Sequence, residues 1–134
     1  MAFVHHLRVR YNECDAQGIV FNANWFTYFD VANTELWRPA LGSYGALADH
    51  GCDVVVVETG ARFLAPAHFD DELAIEVAIT RLGTTSMTTE SVARREGQEL
   101  VRGTTAYVFV DPATLIKTPI PDAVRAALAP FQRG

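Results

Sequence analysis

One stretch of this chain, from position 11 to position 38, concentrates aromatic residues and constrains the fold most strongly. It begins with a polar, turn-prone segment, NECDAQG at 12–18. Apolar residues then recur at nearly helical spacing, at positions 25, 26, 28, 29, 32, 36 and 37. The pattern predicts a helix over 22–37 that is buried on most sides. Asn22 and Asn24 are expected to cap its start, and Pro39 is expected to stop it.

The other segments show the period-2 alternation and turn signals of β-strands. The clearest strand is 71–82, in which every second residue is apolar and shares one face: Leu73, Ile75, Val77 and Ile79. Strands are also predicted at 3–11, 52–64, 84–95 and 99–110, with a hairpin turn near 96–98. The DVVVVE run at 53–58 is typical of a buried strand. A terminal helix is expected over 121–131.

One long helix and five strands predict an α+β fold, with a curved antiparallel sheet wrapped around the buried helix. At 134 residues, the chain is long enough for a single domain covering 1–134. One helix is unable to cover both faces and both edges of such a sheet. We therefore expect a homodimer or homotetramer in which copies join sheet edges or stack sheets.

Composition and charge exclude several classes of protein. The formal net charge of −5 argues against nucleic-acid or anionic-membrane binding. No apolar run approaches the roughly 18–20 residues of a membrane span, and the first residues lack a signal-peptide layout, so a cytoplasmic location is expected. The four histidines and two cysteines show no zinc-ligand spacing, and glycine-rich phosphate loops are absent. We expect neither a metal nor a cofactor.

Asp15 is the candidate for chemistry because it precedes the start of the predicted helix. Unpaired N–H groups give a helix N-terminus partial positive charge, which stabilises a developing oxyanion. A carboxylate beside such an end, above aromatic side chains, suits acyl chemistry. The residues alone equally allow an aspartate that only caps the turn before Gly18.

The segment CDAQGIV at 14–20, followed by NW at 24–25 and Asp30, resembles the start of the 4-hydroxybenzoyl-CoA thioesterase family. The resemblance continues through RFLAPA at 62–67, DDEL at 70–73 and VFVDP at 108–112, and so covers nearly the whole chain. Within that family, the chain resembles the small bacterial acyl-CoA thioesterases, including the Tol–Pal-associated subgroup. The family implies a hotdog fold and hydrolysis of an acyl-CoA thioester, the acyl group being small, medium or aromatic.

The resemblance also implies roles for two residues. Asp15 matches the catalytic carboxylate, acting either as nucleophile or as general base towards water. Asn22 matches the residue whose backbone N–H polarises the thioester carbonyl. Relatives often carry an aromatic or imidazole side chain at that position. The backbone donor survives this change, whereas a side-chain role does not carry over.

Five further residues are candidates for binding the substrate. Phe21 and Trp25 lie nearest the helix start and are the best acyl-pocket candidates among the aromatic residues, most of which are expected to pack in the core. Asp30 is interpreted either as a polar group near the acyl pocket or as a structural carboxylate at a subunit interface. Arg94 and Arg95 form the densest cationic pair and are candidates for the CoA phosphates, although ordinary hairpin charges look the same.

Three alternative functions follow from the same residues. An acyl carrier protein is a less favoured thioester donor than CoA, because an acidic carrier favours a basic surface and this chain is acidic. A hotdog hydratase or dehydratase needs a histidine near the helix start, and 16–30 contains none. A non-catalytic acyl-binding protein is the alternative from a different class.

Overall fold

A computed structural model describes residues 2–133 and shows a five-stranded sheet packed against a long helix. The strands are β1 (Phe3–Arg8), β2 (Asp53–Phe63), β3 (Glu72–Leu82), β4 (Ser86–Arg95) and β5 (Gln98–Val110). Their order across the sheet is β1-β3-β4-β5-β2, and every neighbouring pair is antiparallel. The predicted α+β architecture is confirmed. β1 is shorter than predicted, because Tyr11–Glu13 forms a 3-10 turn.

The predicted alternation in β3 is confirmed, and it builds the core. Leu73, Ile75, Val77 and Ile79 are all buried on one face of the strand. The predicted hairpin between β4 and β5 is also confirmed. Its two turn residues, Glu96 and Gly97, both have positive φ, at 51° and 82°. Such a turn matches the twist of the two strands that it joins.

The long helix, α1 (Asn24–Glu35), is followed by α2 (Trp37–Leu41), α3 (Ala46–Asp49) and α4 (Asp122–Leu128), with a last 3-10 turn at Ala129–Phe131. The prediction that Pro39 stops the long helix after Trp37 is wrong, because α1 ends earlier and Pro39 lies inside α2. A proline ring clashes with the carbonyl group four residues before it. Here that carbonyl belongs to Glu35, where α1 ends.

The prediction that the long helix is buried on most sides is also wrong within one chain. Its sheet-facing side is buried, including Trp25, Tyr28 and Phe29. The opposite side exposes Phe26 and Val31, at 37% and 42%. One sheet covers one side of one helix, so the aromatic residues on the other side remain in contact with solvent.

β2 is an edge strand, which corrects the expectation that its valine run is buried. It pairs only with β5, and Val56 and Val57 are 48% and 59% exposed. A β-bulge interrupts its pairing between Val56 and Glu58. Valine favours strands in general, so the run does not distinguish an edge from a centre. No helix among residues 2–133 is long and apolar enough to cross a membrane.

Candidate active site

Asp15 lies in a tight turn that its own side chain helps to hold. The Gln17 N–H donates to Asp15 Oδ1 at 2.8 Å, and the Gly18 N–H donates to the Asp15 carbonyl at 3.0 Å. Gly18 has a φ of 78°, which only glycine adopts without strain. The Asp15 side chain therefore does cap the turn before Gly18. It uses one carboxylate oxygen and leaves Oδ2 without a hydrogen bond to the residues that the structure describes.

Asp15 borders a cavity of about 360 Å³ at the start of α1. Phe21, Ala23, Asn24 and Thr27 line the helix side of the cavity, and Asn12, Glu13 and Cys14 line the loop side with Asp15. Phe21 is 55% exposed, so its ring offers apolar surface to a ligand. The structure thus brings together two of the sequence-predicted site residues, Asp15 and Phe21.

The start of α1 has no side-chain cap, which corrects the expectation that Asn22 or Asn24 caps it. Ala23 occupies the N-cap position. The Asn22 and Ala23 backbone N–H groups donate to no acceptor in 2–133, whereas the next N–H, that of Asn24, bonds the Phe21 carbonyl at 2.8 Å. Two unpaired donors at the positive end of a 12-residue helix are suited to stabilising an oxyanion.

Glu13 and Tyr28 tie the Asp15 loop to α1, and the sequence patterns pointed to neither. Glu13 is 8% exposed and accepts hydrogen bonds from the Arg10 guanidinium at 2.6 and 2.9 Å and from the Tyr28 hydroxyl at 2.8 Å. The Phe21 N–H also donates to the Glu13 carbonyl, at 3.0 Å. The Arg10–Glu13 spacing is the only sequence signal for this arrangement. Through it, the loop and the helix start keep one relative position.

Burial by itself raises the pKa of Glu13. The hydrogen bonds from Arg10 and Tyr28 outweigh burial and hold that pKa below its ordinary value of 4.5. Burial, together with the bond to Glu13, raises the pKa of Tyr28 far above its ordinary value of 10. At neutral pH, Glu13 is therefore an ionised acceptor and Tyr28 a neutral donor.

Trp25 lies in the core at 2% exposure. Its ring meets Tyr28 edge-on at 5.3 Å between centroids and Phe29 at 5.9 Å. Through these ring contacts, Trp25 packs beneath the first turn of α1. Its role in binding an acyl group stays a prediction.

Asp30 borders a second cavity, of about 350 Å³, on the exposed side of α1. Thr27 lines both this cavity and the one beside Asp15, so the two adjoin along the helix. Tyr107 lines the far wall; burial, followed by the negative charge of Asp30, raises its pKa above the ordinary value. Both interpretations of Asp30, as a ligand contact or as an interface carboxylate, are consistent with this position.

Arg94 and Arg95 lie beside a third cavity, of about 960 Å³, between β1, β3 and the β4–β5 hairpin. Arg94 pairs with Glu76 at 3.1 Å, and Arg95 pairs with Asp71 at 2.7 Å. Burial raises the pKa of Asp71, but bonds from His68 and Arg95 outweigh it and hold the pKa below its ordinary value. Neither arginine lines the Asp15 cavity, and their role towards CoA stays a prediction. No three metal-ligating side chains cluster anywhere in the described chain.

Comparison with known proteins shows the class to which an antiparallel sheet packed on one long helix belongs here. The thioesterase superfamily model matches residues 17–102, a segment that begins two residues after Asp15. The acyl-CoA thioester hydrolase YbgC of Escherichia coli is 31% identical over 121 residues, covering 90% of each chain. This chain belongs to the thioesterase superfamily.

Solved structures show the same fold. A gentisyl-coenzyme A thioesterase matches with a TM-score of 0.83 and 30% identity, covering 94% of this chain and 98% of that one. A 1,4-dihydroxy-2-naphthoyl-CoA thioesterase from Synechocystis matches over the full length of both chains, with a TM-score of 0.86 and 20% identity. The predicted hotdog fold and thioesterase family are therefore confirmed.

Proposed function

We propose that this chain hydrolyses acyl-CoA thioesters in the cavity between Asp15 and the start of α1. One observation carries the proposal: a carboxylate with a free oxygen lies beside a helix start whose N–H groups at Asn22 and Ala23 are unpaired. The names of the relatives support CoA as the thiol. The proposed reaction uses water and the protein's own groups.

Asp15 drives the attack on the thioester carbonyl in one of two ways. As nucleophile, it forms a mixed anhydride and expels the CoA thiolate, and water then hydrolyses the anhydride. As general base, it takes a proton from water, whose oxygen attacks the carbonyl directly; the tetrahedral intermediate then breaks its C–S bond and expels the CoA thiolate, which takes up the proton. Both routes pass through a tetrahedral oxyanion. The Asn22 N–H stabilises it, by roughly 3 kcal/mol for a well-aimed donor.

The proposed acyl site starts at Phe21 and extends past Thr27 towards Asp30. Trp25 supports its floor from the core. The CoA phosphates are assigned to Arg94 and Arg95, which then exchange carboxylate partners for phosphate. We therefore expect Arg95→Ala to raise the KM for acyl-CoA and to leave kcat nearly unchanged. An unchanged KM would contradict the assignment of the CoA phosphates to these arginines.

The proposed active form is a homodimer or a homotetramer. Phe26 and Asp30 of α1 line one cavity with Val56 of the edge strand β2. A second copy that covers this cavity buries Phe26 and Val56 and places Asp30 at the interface. Sedimentation equilibrium distinguishes these assemblies from a monomer, which would contradict them.

The test is thiol release from short, long and aromatic acyl-CoAs, and from the matching acyl carrier protein thioesters, by wild type and Asp15→Asn. We expect turnover of at least one acyl-CoA by the wild type and a loss of about 100-fold or more in the variant. Asp122→Asn, on α4, is the matched control and retains full activity. Equal slow turnover by wild type and Asp15→Asn contradicts the proposal and favours a non-catalytic acyl-binding protein. Faster turnover of the acyl carrier protein thioester than of the matching acyl-CoA would identify the carrier protein, and not CoA, as the acyl donor.

A further inference from the structure

Thr27 lies in the middle of the exposed side of α1. It follows Ala23 by four residues and precedes Asp30 and Val31 by three and four. Residues at these spacings share one face of a helix. The Thr27 side chain is exposed, and its hydroxyl makes no hydrogen bond within residues 2–133. The side chain is therefore not needed to hold the helix in place, and its shape contributes to the surface.

Three cavities meet at this side chain. Thr27 lines the cavity beside Asp15, the cavity beside Asp30, and a fourth cavity of about 230 Å³ between α1 and β1. Among residues 2–133, Thr27 is the only one that lines both the Asp15 cavity and the Asp30 cavity. An acyl group that is held at Asp15 and extends towards Asp30 therefore passes the Thr27 side chain.

The cavity beside Asp30 suits an acyl group better than the fourth cavity does. Three charged side chains line the fourth cavity: Arg8, Arg10 and Glu13. The Asp30 cavity has one charged lining residue in the described chain, together with apolar ones: Phe26, Phe29 and Val56. A hydrocarbon chain gains free energy by leaving water for apolar surface, whereas covering a hydrated charge is costly. The route past Thr27 into the Asp30 cavity is thus the favourable one.

We propose that Thr27 is a specificity-determining residue, whose side chain sets the width of the passage from the Asp15 cavity to the Asp30 cavity. A small acyl group stays beside Asp15, whereas a longer or aromatic one passes Thr27 and contacts the apolar wall beyond it. The inference rests on the proposed function. It adds to that function the residue that limits the size of the acyl group.

The test measures kcat/KM for acetyl-CoA, butyryl-CoA, octanoyl-CoA and benzoyl-CoA. Its readout is the ratio between the largest and the smallest acyl group that the wild type hydrolyses. We expect Thr27→Leu, which narrows the passage, to lower this ratio about tenfold, and Thr27→Ala, which widens it, to raise the ratio about threefold. A loss of folding would lower both rates together, and urea unfolding checks that both variants are as stable as the wild type.

Val31→Leu is the matched control. Val31 is also β-branched, lies one turn further along α1 and lines only the fourth cavity of these three. Enlarging it should leave the ratio at the wild-type value. A ratio that stays at the wild-type value in both Thr27 variants, alongside normal wild-type turnover, overturns this inference alone. So does a ratio that Val31→Leu shifts and Thr27→Leu does not, because it places the acyl group in the fourth cavity.

A wild type that hydrolyses no member of the panel overturns the proposed function and this inference with it.

Discussion

Two asparagines on the same helix, the half-buried Asn24 and the buried Asn33, have opposite surroundings. The Asn33 amide donates to the Phe29 carbonyl at 2.7 Å and to Ser91 Oγ at 2.9 Å, and its oxygen accepts from Thr89 Oγ1 at 2.6 Å. The Asn24 amide nitrogen has no partner in the described chain. The same side chain thus joins helix to sheet at Asn33, whereas at the helix start its amide nitrogen is shielded from solvent and unpaired.

Packing is also tighter around the middle of α1 than around its start. In the middle of α1, the ring of Phe29 lies directly against Gly103 of β5, leaving no space for a side chain there. At the start of α1, Phe21 is more than half exposed and borders open space. The contrast indicates that the middle of the helix packs tightly against the sheet, whereas the residues around its start border open space.

The largest stability effect is expected from Gly103→Ala. Its Cβ would lie 2.6 Å from Phe29 Cε2, and this ring is held in place by the core. Overpacking of this kind costs about 3 kcal/mol of unfolding free energy. Gly60→Ala is the control, because a Cβ at Gly60 meets nothing within 4 Å. Urea unfolding measures both, and equal midpoints would show that the helix–sheet contact is loose.

Asn33→Ala should cost about 2 kcal/mol, because it leaves the buried Ser91 and Thr89 hydroxyls without their partner. Asn24→Ala should change the unfolding free energy by less than about 0.5 kcal/mol, because the amide that it removes is unpaired. The pair is compared by urea unfolding. A larger loss for Asn24→Ala would mean that the amide is structural and would remove the distinction between the two regions.

Tyr28→Phe should cost about 1.5 kcal/mol, the value of a hydrogen bond to a charged and buried carboxylate. The matched change is Tyr44→Phe. The Tyr44 hydroxyl also donates to a carboxylate, that of Asp53 at 2.7 Å, but it does so at the surface. We expect its loss to cost less than about 0.5 kcal/mol. Equal costs would show that the Glu13 contact does not hold the Asp15 loop to the helix.

The smallest effect is expected from pH. Glu13 has a lower pKa in the folded chain than its ordinary value of 4.5, so the unfolded chain binds its proton first as the pH falls. The stability that Glu13 provides is complete above this ordinary value and is lost as the pH falls through the folded pKa. Between roughly pH 5 and 3, the unfolding free energy should fall less steeply for Glu13→Gln than for wild type. Parallel curves would contradict this contribution.

Much of the fold was predictable because the signals are local. Alternation in β3 identified both the strand and its buried face. The positive φ values at Glu96 and Gly97 match the hairpin expected between β4 and β5. The position of the valine run in β2 was not predictable in this way, because its pairing partner, β5, lies more than 40 residues along the chain.

The sequence also predicted some features of the candidate site and missed others. The sequence placed Asp15 in a turn just before the helix and Phe21 near its start, and the structure brings both to one cavity. It did not indicate the buried Glu13–Tyr28 bond, which joins residues 15 positions apart. It also assigned Asn24 a capping role, whereas the helix start has no side-chain cap.

The sequence by itself determined the elements of this protein, because helical spacing, strand alternation and turn residues act over a few neighbouring positions. It also determined the order of these elements and the loop that carries Asp15. Only the tertiary structure decided which polar groups find partners. Asn33 meets Thr89 and Ser91 because the sheet brings residues 56 and 58 positions away to the helix. No such partner reaches the Asn24 amide nitrogen, at the start of the same helix.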